Sequence, residues 1–504
     1  MTSLRPRVLS AGLLLLALSS LGAACGGPAE PVTPARPKVA DEWLVRARQS
    51  YRAGDIDDAK VAADSALQVA PRDPEIRLIK ARVALARLDY AEALKFTEGM
   101  KSSDARQIRG RAFWYQGDLE QAADELELLL RDPQIKDPWA REVAKLARQS
   151  QGRHPFAIEG GVVAMIEMPP SGPALVVPCE LEGEQVLALV ATAVGELIVD
   201  SNTRREPAWV NLRFGDRIEV KDVPALTQDL SPLSRQFGVP IKALLGVNLL
   251  RHMHVTFDRR GSQFVVRRDD PPPPPDAARI PLFYVRGGGM MVRGNVTTKD
   301  DQQVPFLVDS SAFYPIALED AQWKRAGVNI ANLKSDPQGP ANVKVGELPL
   351  FRFGGFDLPQ IPAMQGVGIN DVRSALDVDV GGVVGAGLLS IFRVTFGSDG
   401  RFIWVEPDPS LAEAGPGGRR SIPPEPSRPR NPPPASTQPP APPPAPSGSA
   451  APPKPAPAGS AAPPQPAPSG SAAPKPGPGP APSASGSAAP RVGVPRLELP
   501  GLKR

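Results

Sequence analysis

Two Val-Asp-Ser strings hold the residues of this chain whose types and surroundings suit acid–base chemistry. One is Asp309-Ser310, which ends the apolar run Phe306-Leu-Val, and the other is Asp200-Ser201. Two carboxylates that lie close enough to share one proton can divide the work, one as the base that activates water and the other as the acid. One aspartate cannot fill both roles at once, so Asp309 needs a second carboxylate beside it.

Repeated strings divide the region after residue 155 into two parts. The first copy is Leu244-Leu-Gly-Val-Asn-Leu-Leu250 with Val255-Thr-Phe-Asp258, and the second is Val383-Val-Gly-Ala-Gly-Leu-Leu389 with Val394-Thr-Phe-Gly397. Both strings recur at the same offset, 139 residues. Short Val, Ile, Leu and Phe runs separated by Gly, Pro and Asp predict strands and turns. We therefore predict two homologous all-β lobes, 156–268 and 279–409, joined by a stiff proline linker over 269–278.

The second lobe resembles the retropepsin and pepsin-like aspartic proteases. In that family an apolar strand delivers Asp-Thr/Ser-Gly to the active site, and a later apolar-apolar-Gly segment packs beneath it. The strings Phe306-Leu-Val-Asp-Ser-Ser-Ala312 and Val383-Val-Gly carry this resemblance. It implies that Asp309 is the catalytic carboxylate and that Ser310 supplies the hydroxyl that braces its loop. Ser311 stands where the motif has glycine, which permits a close backbone approach.

The first lobe departs further from the family pattern. Its matching stretch, Leu187-Ala-Leu-Val-Ala-Thr-Ala193, places Ala191 where the aspartate belongs, and a methyl group cannot share a proton. Asp200 is an alternative, but it shortens the distance to Gly246 and removes the hairpin that leads into the motif.

Three interpretations of the β region follow. It is a pseudoenzyme that binds polypeptide in its cleft, or an endopeptidase whose Asp309 lobes from two molecules form the dyad in a homodimer. In the third, it is a structural component whose groove holds only its own helical domain. We favour the pseudoenzyme, because Ser311 alters the motif and the covalently attached partner lobe competes for the dimer interface.

The region 41–151 has the periodicity of paired amphipathic helices. The string Gly54-Asp-Ile-Asp-Asp-Ala59 is echoed by Leu88-Asp-Tyr-Ala-Glu-Ala93 and by Gly117-Asp-Leu-Glu-Gln-Ala122. A two-helix unit of this length resembles the tetratricopeptide repeat (TPR), and the residues at its signature spacing are Trp43, Ala47, Ala59, Ala66 and Pro71. The resemblance implies a small helical solenoid that either binds a polypeptide or packs against the next domain.

The first residues are typical of an exported lipoprotein. Arg5 and Arg7 precede a short apolar run, and small residues lead to Cys25, so we predict a signal peptide over 1–24. The pattern resembles the lipobox, which implies lipid on Cys25, a tether over 25–40 and attachment to a membrane of the cell envelope. Gly26 after the cysteine resembles signals that permit transfer to an outer membrane where the cell has two membranes.

The composition of residues 410–504 predicts a disordered tail. Pro, Ala, Ser and Gly dominate, and large apolar residues are almost absent, so burial cannot offset the entropy of ordering. The formal charge of the whole chain is only +4, and no basic stripe interleaved with aromatics occurs, so we expect no nucleic-acid partner.

Metal and cofactor sites are not expected. His252 and His254 alternate on a predicted strand, but one further histidine is too few to favour a metal over a structural role. With Cys25 lipidated, Cys179 has no partner for a disulfide, and its apolar surroundings predict a buried structural thiol.

Overall fold

The computed structural model describes residues 36–286, 288–336, 342–369 and 376–407. The predicted signal peptide, Cys25 and the tail over 410–504 lie outside the described residues. The described part begins with a helical region and continues as a β-rich region, which confirms this order of fold classes. None of its helices is long and apolar enough to cross a bilayer.

Helices occupy the first part of the described chain. They are α1 (Lys38–Arg52), α2 (Ile56–Val69), α3 (Pro74–Ala86), α4 (Tyr90–Thr97), α5 (Ser103–Gln116), α6 (Leu119–Leu130) and α7 (Pro138–Arg148). Aspartates start several of them, because a carboxylate at the N-cap accepts from free backbone N–H groups. Asp55, Asp73 and Asp89 do so for α2, α3 and α4. Helix α1 begins at Lys38, inside the segment 25–40 that we predicted as tether.

The echoed strings mark the second helix of each pair. Ala59, Ala93 and Ala122 lie in α2, α4 and α6, and all three are fully buried. A small side chain at this point lets the two helices of a pair approach closely. The sequence repeat therefore corresponds to three helix pairs, with α7 following the third.

The first lobe is a closed barrel of six strands. They are β3 (Val176–Leu181), β4 (Glu184–Ala191), β5 (Leu197–Asp200), β6 (Ala208–Phe214), β7 (Ile218–Gln228) and β8 (Ile241–Gly246). The barrel closes because β6 pairs with both β3 and β7. One more strand, β1 (Ala157–Gly160), adds to β7.

The second lobe repeats this barrel. Its strands are β13 (Gly289–Asn295), β14 (Val304–Asp309), β15 (Ile316–Leu318), β17 (Lys344–Phe353), β18 (Phe356–Gln365) and β19 (Gly382–Gly385). Closure comes from β13, which pairs with β14 and β17. Two short strands extend the sheet, β12 (Phe283–Val285) beside β13 and β16 (Lys334–Ser335) beside β17.

A third sheet joins the lobes. Its order is β11-β21-β20-β9-β10-β2, from β2 (Val163–Glu167), β9 (Thr256–Asp258), β10 (Gln263–Arg267), β11 (Ala278–Pro281), β20 (Phe392–Phe396) and β21 (Phe402–Pro407). At its centre Thr256 pairs with Thr395, and their hydroxyl oxygens are 2.8 Å apart. These are equivalent residues of the duplicated strings, so an approximate two-fold axis passes between them.

Short helices complete the β region. They are α8 (Ser231–Phe237), α9 (Val247–His252), α10 (Asp320–Arg325) and α11 (Ala386–Leu389). The prediction that His252 and His254 alternate on a strand is wrong. His252 ends α9, and His254 follows in a turn with a φ of 44°. The apolar run after Gly246 fits a buried helix as well as a strand, and periodicity does not separate the two.

Cys179 is buried on β3, as its apolar surroundings predicted. Burial raises the pKa of its thiol to about 12, so the thiolate is suppressed at neutral pH.

Candidate functional site

Asp309 and Ala191 occupy equivalent positions in the two lobes. Asp309 ends β14 and pairs with Gly385 of the parallel strand β19. Ala191 ends β4 and pairs with Gly246 of the parallel strand β8. Both side chains are buried, with exposures of 3 % and 2 %. The site therefore sets one carboxyl group against one methyl group.

The residues that follow these two positions connect the lobes. The N–H of Thr192 donates to Ser310 Oγ, and the N–H of Ser310 donates to Thr192 Oγ1, both at 3.1 Å. Each hydroxyl in turn donates 2.7 Å across the interface, from Thr192 to the carbonyl of Val308 and from Ser310 to that of Val190. Four buried hydrogen bonds thus fix the two loops to each other.

Ser311 caps the carboxyl group of Asp309. Its backbone N–H and its hydroxyl both donate to Oδ1 of Asp309, at 3.0 and 2.5 Å. Burial raises the pKa of Asp309, although these two hydrogen bonds act in the opposite direction. The serine at the glycine position of the motif therefore supplies a fixed donor to this carboxyl group.

Asp200 lies apart from this pair. It ends β5, where its carboxylate lies 3.0 Å from Lys242 Nζ and accepts from the N–H of Leu230. Burial alone would raise the pKa of Asp200, but Lys242 and the other donors lower it overall. The ion pair with Lys242 holds Asp200 at the end of β5, which lies between β7 and β8 in the barrel.

Helices cover the face that presents Asp309 and Ala191. Side chains two residues apart on a strand point to the same face, so Leu307 shares the face of Asp309 and Leu189 that of Ala191. Leu307 belongs to a buried cluster with residues of α1, α2 and α3, including Tyr51. Leu189 and Ala191 belong to another cluster, with residues of α5, α6 and α7. The helical domain thus packs across the cleft between the lobes.

Polar contacts fix the helices in this position. Glu196 follows Ala191 by five residues, and its Oε1 accepts a hydrogen bond of 3.1 Å from the hydroxyl of Tyr115 in α5. Burial raises the pKa of Glu196, while the positive charge of Arg111 and the hydrogen bond from Tyr115 act in the opposite direction. Further contacts between the domains are Trp209 Nε1 to the carbonyl of Leu146 (3.0 Å), the N–H of Asp379 to the carbonyl of Arg52 (2.7 Å), and the ion pair Arg293–Asp55 (3.0 Å).

The sequence left two alternatives open for the helical domain, polypeptide binding and packing against the next domain, and the structure shows the packing. The sequence did not single out Glu196 as a contact residue. The sequence signal was the run Val83-Ala-Leu-Ala86, four apolar residues in succession at the end of α3, all of which are buried. A helix segment that is apolar on every side packs against more than one neighbour, so this run indicated a second partner.

Comparisons with known proteins gave structural similarities only. No protein-family model matches the chain, and no curated protein matches it. The Arabidopsis OM64 TPR domain is similar at 17% identity and a TM-score of 0.20, over 22% of this chain and 93% of that domain. A retropepsin-like aspartic protease from Rickettsia conorii is similar at 21% identity and a TM-score of 0.21, over 26% of this chain and 91% of that chain. The first TPR of Spaghetti (RPAP3), bound to the HSP90 peptide SRMEEVD, is similar at 18% identity and a TM-score of 0.20, over 23% of this chain and 95% of that chain.

Proposed function

We propose that this chain is a lipid-anchored protein of the cell envelope that binds polypeptide partners and carries an aspartic-protease-like module without protease activity. The observation that carries the proposal is the covered and incomplete cleft. Asp309 is opposed by Ala191, and helices of the same chain pack on the face that would receive a substrate.

Catalysis by an aspartic dyad requires an acid and a base side by side. Asp309 supplies one carboxyl group, and burial favours its protonated form. Ala191 supplies neither an acid nor a base. The first lobe has no titratable group at the position equivalent to Asp309, so nothing there can share its proton while water is activated. This geometry supports recognition rather than hydrolysis.

The dimeric endopeptidase is the alternative. It requires the Asp309 loops of two molecules to meet. In this chain the loop of Asp309 already meets that of Ala191 through the Thr192 and Ser310 bonds, and β20 already pairs with β9. A homodimer with a dyad would have to break both contacts and displace the helices, so we do not favour it.

The first helix pair offers a surface for a polypeptide partner. In the described helices α1 to α7, the large apolar side chains that are clearly exposed are Val39 and Val45 of α1 and Val61 and Val69 of α2. A solenoid buries its apolar faces by stacking, so an end repeat with exposed valines can accept another apolar segment. We place polypeptide binding at this end.

A titration tests the binding proposal. A labelled unstructured polypeptide is titrated with the full chain and followed by fluorescence anisotropy. We expect the paired changes Val39→Asp and Val45→Asp to weaken binding at least fivefold, while Val162→Asp, an equally exposed valine of the β module, leaves it unchanged. Absence of binding by the unaltered chain, or equal loss in both variants, would contradict the proposal.

Lipid attachment is tested separately. Cells that express the full chain are fed an alkyne-labelled fatty acid, and the label on the protein is compared with that on Cys25→Ala. The proposal expects label and membrane association in the unaltered chain and neither in the variant. Equal label in both, or label in neither, would remove the envelope anchor from the proposal.

A further inference from the structure

The sheet that joins the lobes has a free edge at β2. The strand order of that sheet places β2 at its end, where it pairs with β10 alone. The N–H of Arg268 donates to the carbonyl of Val162, and backbone hydrogen bonds alternate along an antiparallel strand. Every second residue of β2 therefore directs its N–H and C=O groups away from β10. These outward residues are Val163, Met165 and Glu167.

This edge is apolar and open to solvent. Val163 and Met165 are 38 % and 63 % exposed, and Glu167 is exposed as well. Within the described residues, the outward N–H and C=O groups of these three make no hydrogen bond. Proline and lysine protect many sheet edges, and the opposite edge strand, β11, ends in Pro281, whereas β2 contains neither. An unprotected apolar edge accepts a further strand.

The turn between β6 and β7 borders this edge and carries two opposite charges. The first carbon of a side chain on Gly215 would lie 3.7 Å from the carbonyl oxygen of Met165, so glycine leaves the edge free there. The N–H of Gly161, just before β2, donates to the carbonyl of Arg217 at 2.7 Å. Asp216 and Arg217 are exposed, and within the described part of the chain neither side chain forms an ion pair. A strand added here would meet a positive charge near the start of β2 and a negative charge further along.

The sequence contains a segment with a matching pattern. The stretch 423–490 has no Val, Ile, Leu, Met or aromatic residue, whereas residues 491–499 read Arg-Val-Gly-Val-Pro-Arg-Leu-Glu-Leu. Side chains alternate between the two faces of an extended chain. The last two leucines would then lie on one face, and Arg496 and Glu498 on the other.

The chain that leads to this segment is long enough to reach β2. Leu497 follows Pro407, the last residue of β21, by 90 residues. A flexible chain of that length has a root-mean-square end-to-end distance of about 50 Å. The diameter expected for a compact body of this size is about 55 Å. Such a tether holds the segment at a local concentration on the order of 1 mM, which compensates for the weak pairing of a short strand.

We propose that residues 495–499 of the same chain add to the free edge of β2 as an antiparallel strand, with Leu497 opposite Met165. The other outward pairs in this register are Leu499 with Val163 and Pro495 with Glu167. Every outward group of β2 then has a partner except the carbonyl of Glu167, because proline has no N–H. The leucines extend the exposed apolar face of β2. The pairing requires neither protease activity nor a polypeptide partner.

The charges select this direction of the added strand. Residues opposite Ala164 and Ile166 share their face, which packs on the first lobe, and Ile166 lies beside Gly215 of the β6–β7 turn. In the antiparallel register Arg496 is opposite Ile166 and faces Asp216, while Glu498 is nearer the start of β2 and faces Arg217. A parallel strand would reverse this order and place like charges side by side.

Hydrogen exchange in the full chain tests the pairing. Exchange at the amides of Val163, Met165 and Glu167 is followed by mass spectrometry with electron-transfer fragmentation, which resolves single residues. Leu497→Pro removes one N–H from the added strand, and Leu502→Pro makes the same change beyond it. We expect the three amides to exchange at least fivefold faster in Leu497→Pro than in the unaltered chain. Leu502→Pro and tenfold dilution should leave the rates unchanged.

A charge reversal tests the register. Arg217→Glu should speed exchange at the same amides at least threefold, and the further change Glu498→Arg should restore the slow exchange. Equal rates in the unaltered chain and Leu497→Pro, equal effects of the two proline changes, or no recovery with Glu498→Arg would overturn the proposal. Protection that falls on dilution would also overturn it, because it would place another molecule at the edge.

Discussion

Thr192 and Ser310 donate their backbone N–H groups to each other's side-chain oxygens at 3.1 Å in both directions. Each residue directly follows one of the two positions where a dyad would stand, Ala191 and Asp309. The four hydrogen bonds thus hold these two positions together, although only one of them carries a carboxyl group. Substitutions at Thr192 and Ala191 test the bonds and the missing carboxyl group separately.

Thr192→Val removes the shared hydroxyl at nearly constant volume. The N–H of Ser310 and the carbonyl of Val308 lose their partner in a buried loop, and each unpaired group costs about 1–3 kcal/mol. We expect the free energy of unfolding in urea to fall by about 2–4 kcal/mol. Thr298→Val, at an exposed threonine, serves as the control and should change it by less than about 0.5 kcal/mol. Equal effects of the two changes would mean that these bonds do not join the lobes.

Ala191→Asp places a second carboxyl group beside Asp309. Two buried carboxyl groups cannot both ionise cheaply, so we expect a loss of about 3–5 kcal/mol of stability at pH 7, by analogy with other unpaired buried charges. The loss should shrink as the pH falls, because protonation removes the buried negative charge. Ala191→Asn has a similar size and no charge, so its effect on urea unfolding should not vary with pH. A loss for Ala191→Asp that is equally independent of pH would argue against a buried pair.

Glu196→Gln probes the contact between the helices and the first lobe. Burial raises the pKa of Glu196, so folding favours its protonated form. Its contribution to stability is therefore complete below its ordinary pKa of about 4.3 and is lost as the pH rises through the raised value. Glutamine is always neutral and can still accept from Tyr115. The variant should thus become more stable than the unaltered chain as the pH rises from 4 to 8, by about 1–3 kcal/mol at the upper end.

Urea unfolding across this pH range measures the effect. Glu184→Gln is the matched control, because Glu184 is exposed at the start of β4. The difference in the free energy of unfolding between this variant and the unaltered chain should not change with pH. If the difference for Glu196→Gln is also flat, Glu196 is not buried under α5 in solution.

The helix pairs and the duplicated lobes could be predicted from the sequence because each repeats a local pattern. Ala59, Ala93 and Ala122 mark one helix face at nearly regular spacing, and the 139-residue offset brings Thr256 and Thr395 to one strand pair. Local pattern also had limits. The run after Gly246 is a helix, so His252 and His254 were assigned to the wrong element.

Packing of the helices against the next domain was one of two alternatives from the sequence, but the contacts that form this cover could not be predicted from local pattern. Tyr115 and Glu196 are 81 residues apart, and neither helix nor strand periodicity relates them. Leu189 of the first lobe and Trp139 of the helices belong to two sets of apolar side chains that bury each other. In the sequence, each set has the pattern of an ordinary core within its own domain. Only the packing of one domain on the other shows that they form one interface. The catalytic role that the resemblance implies for Asp309 and Ser310 remains a prediction.

Proteolysis assays test the central claim most directly. The full chain and its Asp309→Ala version are incubated with an unstructured protein from pH 3 to pH 7, and the products are followed by electrophoresis and mass spectrometry. An incomplete dyad beneath a helical cover predicts no cleavage by either protein at any pH. Cleavage by the unaltered chain that disappears in Asp309→Ala would contradict this account and establish an aspartic endopeptidase.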